Sequence, residues 1–330
     1  MGESGVPTID LQEFPGQNEK LRRACEEWGC FRLVNHNISL TLMADMKRVV
    51  RSLLDLPFDV KKRNLDVIAG SGYMAPSQAN PLYEALGLYD MGSSQAVETF
   101  CSQLDASPYQ RRFSSKFLLI WTWFLKCHFY TLIFNFLFAI VVAREVIEMY
   151  AKAIHGVAKD VARKLADSLG LSGDFFESWV CQFRINKYNF TPETIGSSGV
   201  QIHTDSGFLT ILQDDENVGG LEVMNPSGVY VAVDPVPGTL LINLGDIATA
   251  WSNGRFRNVQ HRVQCKEATI RISIASFLLA GNEEVEAPPE LVDTEHPRLY
   301  VPFTYEDYRK LRLTTKLQAG EALELKRIKS

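Results

Sequence analysis

In His203-Thr204-Asp205 an imidazole and a carboxylate stand two residues apart. An extended chain repeats its side-chain direction every second residue, so the two would point to one side and could share a metal ion. Far downstream, His261 in Asn258-Val259-Gln260-His261-Arg262-Val263 offers a third ligand. Two imidazoles and one carboxylate on one face of an ion leave its remaining positions open. That arrangement suits non-haem iron(II) and its oxygen chemistry; with zinc, the same trio would serve a hydrolase. Just beyond, Arg271 and Ser273 are again two apart and read as an anion clamp beside the ion.

The clamp lies in Ala268-Thr269-Ile270-Arg271-Ile272-Ser273-Ile274-Ala275-Ser276-Phe277. As a strand, this run puts Arg271, Ser273, Ala275 and Phe277 on one face and Ile270, Ile272 and Ile274 on the other. The polar face is expected to look into a barrel interior, where a guanidinium is costly unless paired. No Asp or Glu shares its strand, so an anionic ligand is the expected partner. A charge-assisted hydrogen bond is worth about 1.5 to 3 kcal/mol, and arginine can grip a carboxylate with two prongs. The run Arg184-Ile185-Asn186-Lys187-Tyr188 adds Asn186 and Tyr188 on one face, both able to hydrogen-bond a dicarboxylate. Taken singly, an arginine on a strand is more often a structural ion pair and a tyrosine more often core. Their combination with the two histidines and Asp205 favours a site.

The elements that must position these residues follow from periodicity. Pro7 to Leu11 reads as extended, Asn18 to Trp28 as a helix that Gly29 stops, and Cys30 to Val34 as a strand. Ser39 is expected to cap a helix with Leu40, Met43, Met46, Val50, Leu53 and Leu54 at helical spacing, ended by Pro57. Ala69 to Asp105, rich in Gly, Ser and Pro, reads as loop and short strand. Glu145 to Leu169 is a helix with a stripe of Val146, Met149, Tyr150, Ala153, Val157, Val161 and Leu165, and Gly170 stops it. His155, on the opposite face with Glu148, Lys152 and Lys159, reads as solvated. After Trp179 come candidate strands Gln182 to Phe190, Val200 to His203, Phe208 to Gln213, Leu221 to Met224, Val229 to Val233, Thr239 to Asn243, Arg257 to Gln264 and Thr269 to Leu279. Short strands with frequent turns imply a double-sheet jelly roll rather than alternating β and α units. The fold class is therefore mainly β with a helical N-terminal part, a double-stranded β-helix flanked by helices.

Bulk composition narrows the function classes. The 330 residues are 46% hydrophobic and 22% charged, as in ordinary globular proteins, and the net charge of -5 argues against a nucleic-acid partner. Six cysteines without CxxC spacing, and a Met1 to Asp10 stretch with neither a basic nor an apolar region, point to reduced thiols in the cytoplasm or nucleus. Val6 stands where a myristoylation signal needs Ser or Thr, and the final Arg327-Ile328-Lys329-Ser330 is no known address. Oligomeric state is not legible.

His203-Thr204-Asp205, His261 and Arg271-Ile272-Ser273 together match the pattern of plant 2-oxoglutarate- and Fe(II)-dependent dioxygenases. Trp28-Gly29-Cys30-Phe31, Asn35-His36, Asn186-Lys187-Tyr188, Gly245-Asp246 and Ser252-Asn253-Gly254 fit the same pattern. Three further runs resemble the auxin-oxidising subgroup: Phe208 to Gln213, Gly219-Gly220-Leu221-Glu222 and Val263 to Thr269. The resemblance implies that His203, Asp205 and His261 hold Fe(II). It also implies that 2-oxoglutarate chelates the iron near Asn186, with its far carboxylate on Arg271, Ser273 and Tyr188. Dioxygen is the other co-substrate, succinate and CO2 are products, and ascorbate sustains activity. The implied substrate is indole-3-acetic acid, converted to 2-oxindole-3-acetic acid; another small carboxylic acid such as a gibberellin is the alternative. Phe277 is then a candidate aromatic wall for the indole, and Arg184 and Trp251 candidates to touch its carboxylate or ring, with core packing the competing reading. His36 and His296 are expected to be structural. Asn37 stands where the family usually has Gly, a position that needs positive φ, which Asn tolerates.

In the family, a segment like Ser107-Pro108-Tyr109-Gln110-Arg111 would run directly into Glu145-Val146-Ile147-Glu148. The chain thus divides into an N-terminal helical and mixed region at 1–111, an apolar insertion at 112–144, a packing helix and linker at 145–179, and the jelly-roll domain at 180–330. From Phe117 to Val142, Lys126 is the one formal charge in a run long enough to span a bilayer. Lys126 near its centre would cost roughly 2.5 to 3.5 kcal/mol there, and a span inside one fold would split it. A buried hairpin is a second reading, and a translated intron a third, since seven of the 19 phenylalanines lie between Arg112 and Arg144 and their codons are T-rich. An insertion promotes aggregation or membrane adhesion or yields a poorly active isoform, but need not abolish the metal site. A chain lacking residues 112–144 is expected to bind Fe(II) as the full chain does and to stay more soluble, measured by anaerobic metal titration and light scattering.

Overall fold

The computed structural model describes residues 5–104 and 125–329, with the backbone alone for 125–142. Two antiparallel sheets face each other, as the alternating runs after Trp179 imply. The larger has seven strands in the order β1-β2-β9-β6-β11-β4-β3: β1 Thr8–Asp10, β2 Cys30–Val34, β3 Tyr83–Leu88, β4 Val180–Tyr188, β6 Leu209–Gln213, β9 Leu240–Leu244 and β11 Arg271–Leu279. β1 is parallel to β2; the other pairings are antiparallel. The smaller sheet runs β5-β10-β7-β8, with β5 Ser198–His203, β7 Leu221–Met224, β8 Tyr230–Ala232 and β10 His261–Gln264. The chain segments expected at 1–111 and 180–330 are not separate in space. β2 pairs with β9 and β3 with β4, so the N-terminal region supplies strands to the jelly roll.

Alternation decides which residues meet between the sheets. Cys181, Phe183 and Ile185 of β4 and Ile272, Ile274 and Leu278 of β11 pack into the core under the helices. Tyr188 and Ala275 belong instead to the interior cluster with Leu221, Val223 and Val263 of the smaller sheet. Ile270 lies before the strand begins and is half exposed, so it does not join the apolar face expected of it.

The helices cover the outside of the larger sheet. α1 Asn18–Arg23 continues as a wider turn to Trp28 and stops at Gly29, whose φ is 68°. A Cβ at Gly29 would fall 2.1 Å from the Arg257 carbonyl oxygen, so no other residue fits there. α2 Leu40–Leu54 buries Met43, Met46, Val50 and Leu54, but Ser39 makes no side-chain cap bond. Asn37 takes its expected positive φ, 61°. A short α3, Phe58–Lys61, follows. α4, Ser94–Leu104, is a helix in the stretch expected to be loop; Val97, Phe100 and Leu104 are its buried face, a helical spacing masked by the flanking Gly and Ser. α5 runs from Leu125 to Ser168. Residues 112–124 of the apolar insertion lie outside the described residues, and from Leu125 the backbone is helical and continuous with the packing helix. Among the described residues no helix is long and apolar enough to cross a membrane.

Of the stripe expected on α5, Val146, Tyr150, Val157, Val161 and Leu165 are buried, joined by Ile147, Ala151, Ile154, Ala158 and Ala162. Met149 is 54% exposed, because the buried face is centred one position further round. Fully burying each large side chain contributes about 1.5 to 3 kcal/mol. Tyr150 donates to Gln213 Oε1 at 2.7 Å, and Gln213 Nε2 donates to the Met43 carbonyl at 3.1 Å, tying α5, β6 and α2 together. His155 is half buried rather than solvated: it packs on Gly92, with Nδ1 buried and unbonded. His36 is buried and accepts from Ile38 N, and His296 is exposed beside Asp293. Cys25, Cys30, Cys181 and Cys265 are buried free thiols.

Where β6 ends at Gln213, β11 continues to Arg271 without a neighbour on that side. Side chains complete the ladder instead. Ile272 N donates to Asp215 Oδ2 at 2.9 Å, and Lys47 Nζ donates to Ile272 O at 2.7 Å. Lys47 is fully buried, and desolvation pushes its amine down to about 8 although Glu216, Asp215 and Asp214 favour the charge. The folded state therefore releases this proton before the unfolded state does, and the penalty for the buried charge, complete below pH 8, fades as pH rises from 8 to 10.5. Relative to Lys47→Met, the wild type is expected to gain stability across that window, on the order of 3 kcal/mol in all, read from urea midpoints at each pH.

Candidate active site

The metal ligands come from a strand pair. β5 and β10 are antiparallel with His203 opposite His261, and the two rings lie 4.2 Å apart between centroids. Each Nδ1 faces a main-chain carbonyl two residues back: Gln201 O at 2.8 Å from His203 and Val259 O at 3.1 Å from His261. A carbonyl oxygen only accepts, so Nδ1 carries the proton in both rings and Nε2 keeps a lone pair for a metal. Asp205 Oδ1 lies 3.8 Å from both Nε2 atoms. Its other oxygen accepts from Thr210 Oγ1 at 2.5 Å, which leaves Oδ1 facing the imidazoles. The three ligand atoms lie within 4.8 Å of one another. Burial, helped by the neighbouring His261 and opposed by Asp205, lowers the His203 pKa, which favours the neutral imidazole that can coordinate. Two imidazole Nε2 atoms and a carboxylate converging on one point fit Fe(II) with open positions.

A second layer fixes the turn between His203 and Asp205. α7, Tyr305–Thr315, carries Arg312, which donates to the Thr204 carbonyl at 2.7 Å and to Thr204 Oγ1 at 3.2 Å. The same guanidinium pairs with Asp246, the first residue of α6, Asp246–Trp251. Asp246 is fully buried and also accepts from Tyr308 and Asn258, both at 2.6 Å, while its N–H donates to the Asp205 carbonyl at 2.8 Å. Past α7, Thr204 N donates to Gln318 O at 2.9 Å and Gln260 Nε2 donates to Ala319 O at 2.8 Å. One strap before the short α8, Glu321–Glu324, therefore holds both ligand-bearing segments. Gly245 permits this closeness, since a Cβ there would stand 2.3 Å from Gly207 O and 2.7 Å from Asp205 O.

The ligands open onto a cavity of about 420 Å³, within the range of small-molecule sites. Arg271, Ser273, Tyr188 and Asn186 all line it. β11 and β4 pair Arg271 with Tyr188 and Ser273 with Asn186, which brings the four into one block. Asn186 Nδ2 donates to Ser273 Oγ at 3.4 Å, Arg271 Nη1 donates to the same hydroxyl at 3.4 Å, and the guanidinium carbon lies 4.9 Å from the centre of the Tyr188 ring. Burial pushes the Tyr188 phenol up, so it remains an O–H donor. The expectation that only a ligand would balance Arg271 needs correction: Asp214, just past the end of β6, pairs with its Nη2. Arg271 Nε, by contrast, is buried with no partner. A donor free in that position fits the carboxylate of a co-substrate.

Sequence reasoning missed Thr210, Asp214, Arg312 and Tyr83. Tyr83 donates to Asn186 Oδ1 at 2.7 Å from β3, and its signal was the alternation after the Asn80-Pro81 turn. Asp214 stood next to the quoted Gln213, but nothing local ties it to a strand 57 residues away. Of the substrate candidates, Phe277 and Arg184 line the cavity. Arg184 Nη2 donates to the Gly70 carbonyl, and its Nη1 is buried and unpartnered. Trp251 does not reach the cavity. It is buried against Phe175, Phe176 and Phe208, with centroids 5.3 to 5.6 Å apart, because α6 turns it into the core beneath the helices.

The sequence profile of the 2OG-Fe(II) oxygenase superfamily matches residues 179–280, and that of the N-terminal region of the non-haem dioxygenases in morphine synthesis matches 6–91. The chain is 49% identical over 325 residues to the 2-oxoglutarate-dependent dioxygenase DAO of Oryza sativa subsp. indica, covering 96% of this chain and 97% of that protein. The crystal structure of the dioxygenase for auxin oxidation in rice superposes with a TM-score of 0.82 at 47% identity, covering 98% of this chain and all of that one. The dioxygenase for auxin oxidation 1 of Arabidopsis thaliana, in binary complex with 2-oxoglutarate, gives a TM-score of 0.76 at 56% identity, covering 89% of this chain and all of that one. A rice gibberellin 2-beta-dioxygenase 6 is 31% identical, covering 93% of this chain and 80% of that protein. His203→Ala is expected to abolish stoichiometric Fe(II) binding in anaerobic titration while leaving the circular dichroism spectrum unchanged; unaltered iron affinity would overturn the ligand assignment.

Proposed function

The chain belongs to the 2OG-Fe(II) oxygenase superfamily as a 2-oxoglutarate-dependent dioxygenase, and from that premise we propose that it oxidises indole-3-acetic acid to 2-oxindole-3-acetic acid. One molecule each of 2-oxoglutarate and O2 is consumed; one oxygen atom enters the indole ring, and the other leaves in succinate, released with CO2. Iron(II), held by His203, Asp205 and His261, supplies the activation of dioxygen. The observation that carries the substrate reading is the 49% identity to the rice enzyme along 96% of this chain, against 31% for the gibberellin enzyme.

The chain's own residues do the positioning. Arg271, Ser273 and Tyr188 grip the far carboxylate of 2-oxoglutarate and so direct its keto acid end toward the ligands, with Asn186 alongside. Tyr83 orients Asn186 through the 2.7 Å hydrogen bond. Arg184, opposite Ala275 and Gly87, is the cation for the substrate carboxylate, since its buried Nη1 has no protein partner. Phe277 offers the indole an aromatic wall. The mixed apolar and cationic lining suits a small aromatic acid.

Succinate formation, measured after oxygen is admitted to the Fe(II)- and 2-oxoglutarate-loaded protein, is expected to rise with indole-3-acetic acid and not with a gibberellin. Turnover with the gibberellin alone would overturn the substrate, and no succinate with either acid in folded protein would overturn the activity of this chain. Arg184→Ala is expected to raise KM for indole-3-acetic acid about 10- to 100-fold, the loss of one charge-assisted contact, with a far smaller effect on KM for 2-oxoglutarate.

A further inference from the structure

Arg271 is fully buried, yet its three nitrogens have different surroundings. Nη1 reaches Ser273 at 3.4 Å on the cavity side, Nε has no partner, and Nη2 is paired with Asp214. Asp214 does not line the cavity that holds the metal ligands. It lines a separate pocket of about 250 Å³, with Arg32, Asp215, Glu216 and Thr239. The Asp214 carboxylate thus takes up Nη2 from outside that cavity, while Nε stays without a partner. It is itself held, because Asp215 N donates to Asp214 Oδ1 at 2.8 Å. Asp215 is fixed in turn by Ile272, Asn217 and Val218 N–H groups at 2.9, 3.0 and 3.1 Å.

We propose that Asp214 is a positioning residue for the co-substrate, an anchor that holds Arg271 in the orientation that grips the distal carboxylate of 2-oxoglutarate. The inference rests on the reading that this carboxylate sits on Arg271. An arginine side chain loses much rotational freedom on being fixed, and that loss weakens binding unless it has been met beforehand. Pairing Nη2 with Asp214 meets it before the ligand arrives. The same carboxylate also keeps the buried cation balanced when no co-substrate is bound. Because Asp214 does not line the cavity of the metal ligands, its effect is confined to 2-oxo acids that reach Arg271.

The test uses anaerobic calorimetric titration of the Fe(II)-loaded full chain with 2-oxoglutarate and with 2-oxobutyrate, which keeps the chelating end and lacks the distal carboxylate. Asp214→Asn preserves shape and removes the charge; it is expected to raise the Kd for 2-oxoglutarate about tenfold and leave that for 2-oxobutyrate within about twofold. Asp214→Glu is expected to recover part of the loss. Unchanged or tighter 2-oxoglutarate binding in Asp214→Asn would overturn the proposal, the tighter case marking Asp214 as a competitor. Equal weakening of both acids would overturn it too, as a general defect of the fold. Arg271→Ala is the reference: if it binds 2-oxoglutarate as the wild type does, the reading beneath the proposal fails, whereas a loss there with none in Asp214→Asn removes only the anchor.

Discussion

His203 and His261 stand opposite each other across one antiparallel pairing, and the rest of the site depends on that register. A slip of one residue between β5 and β10 would turn one imidazole to the outer face and leave Asp205 with a single partner. Strand pairing alone leaves Asp205 unfixed, since β5 ends at His203. The chain beyond is therefore held by groups from elsewhere: Arg312 and Gln318 on Thr204, Asp246 on the Asp205 carbonyl, Thr210 on the Asp205 carboxylate. Precision at the metal is achieved by the His203–His261 pairing, at the end of a ladder whose register shifts beyond it, on one side and a set of non-local hydrogen bonds on the other.

The same division appears at three buried charges. Arg271 with Asp214, Lys47 beside Asp215, and Arg312 with Asp246 all lie where a strand stops or a loop begins, so that main-chain groups would otherwise lack partners. Buried ion pairs contribute little net stability against well-packed apolar side chains of similar size. Their placement here is better understood as geometry: each fixes a piece of irregular backbone next to a functional side chain. The 31% identity to a gibberellin enzyme beside 49% to the rice auxin enzyme fits a shared frame of this kind, with specificity set by the lining of the cavity.

Much of this frame was legible in the chain because period-two alternation is local. The strands after Trp179, the inward face of Arg271, Ser273, Ala275 and Phe277, and the shared face of Asn186 and Tyr188 all follow from it; that the two faces meet is a strand pairing that alternation does not give. What could not be read was non-local. Asp214 neutralises an arginine it is not adjacent to in sequence, and Arg312 reaches Thr204 across 108 positions. Trp251 looked like a ring for the substrate because its type is right, but a single turn of α6 faces it to Phe176 and Phe208. α4 was hidden because its flanks are rich in Gly and Ser, although Val97, Phe100 and Leu104 carry the helical spacing.

The strap from α7 to Ala319 has a consequence for the order in which the molecule is made. Ribosomal synthesis delivers His203, Asp205 and His261 well before Arg312, Gln318 and Ala319. A nascent chain can pair β5 with β10 while Asp246 still lacks its cation and Thr204 its donor Arg312 and its acceptor Gln318 O. The holding of Thr204 thus waits for residues made well after the ligands, and a message truncated between His261 and Arg312 would encode every ligand but none of Arg312, Gln318 and Ala319.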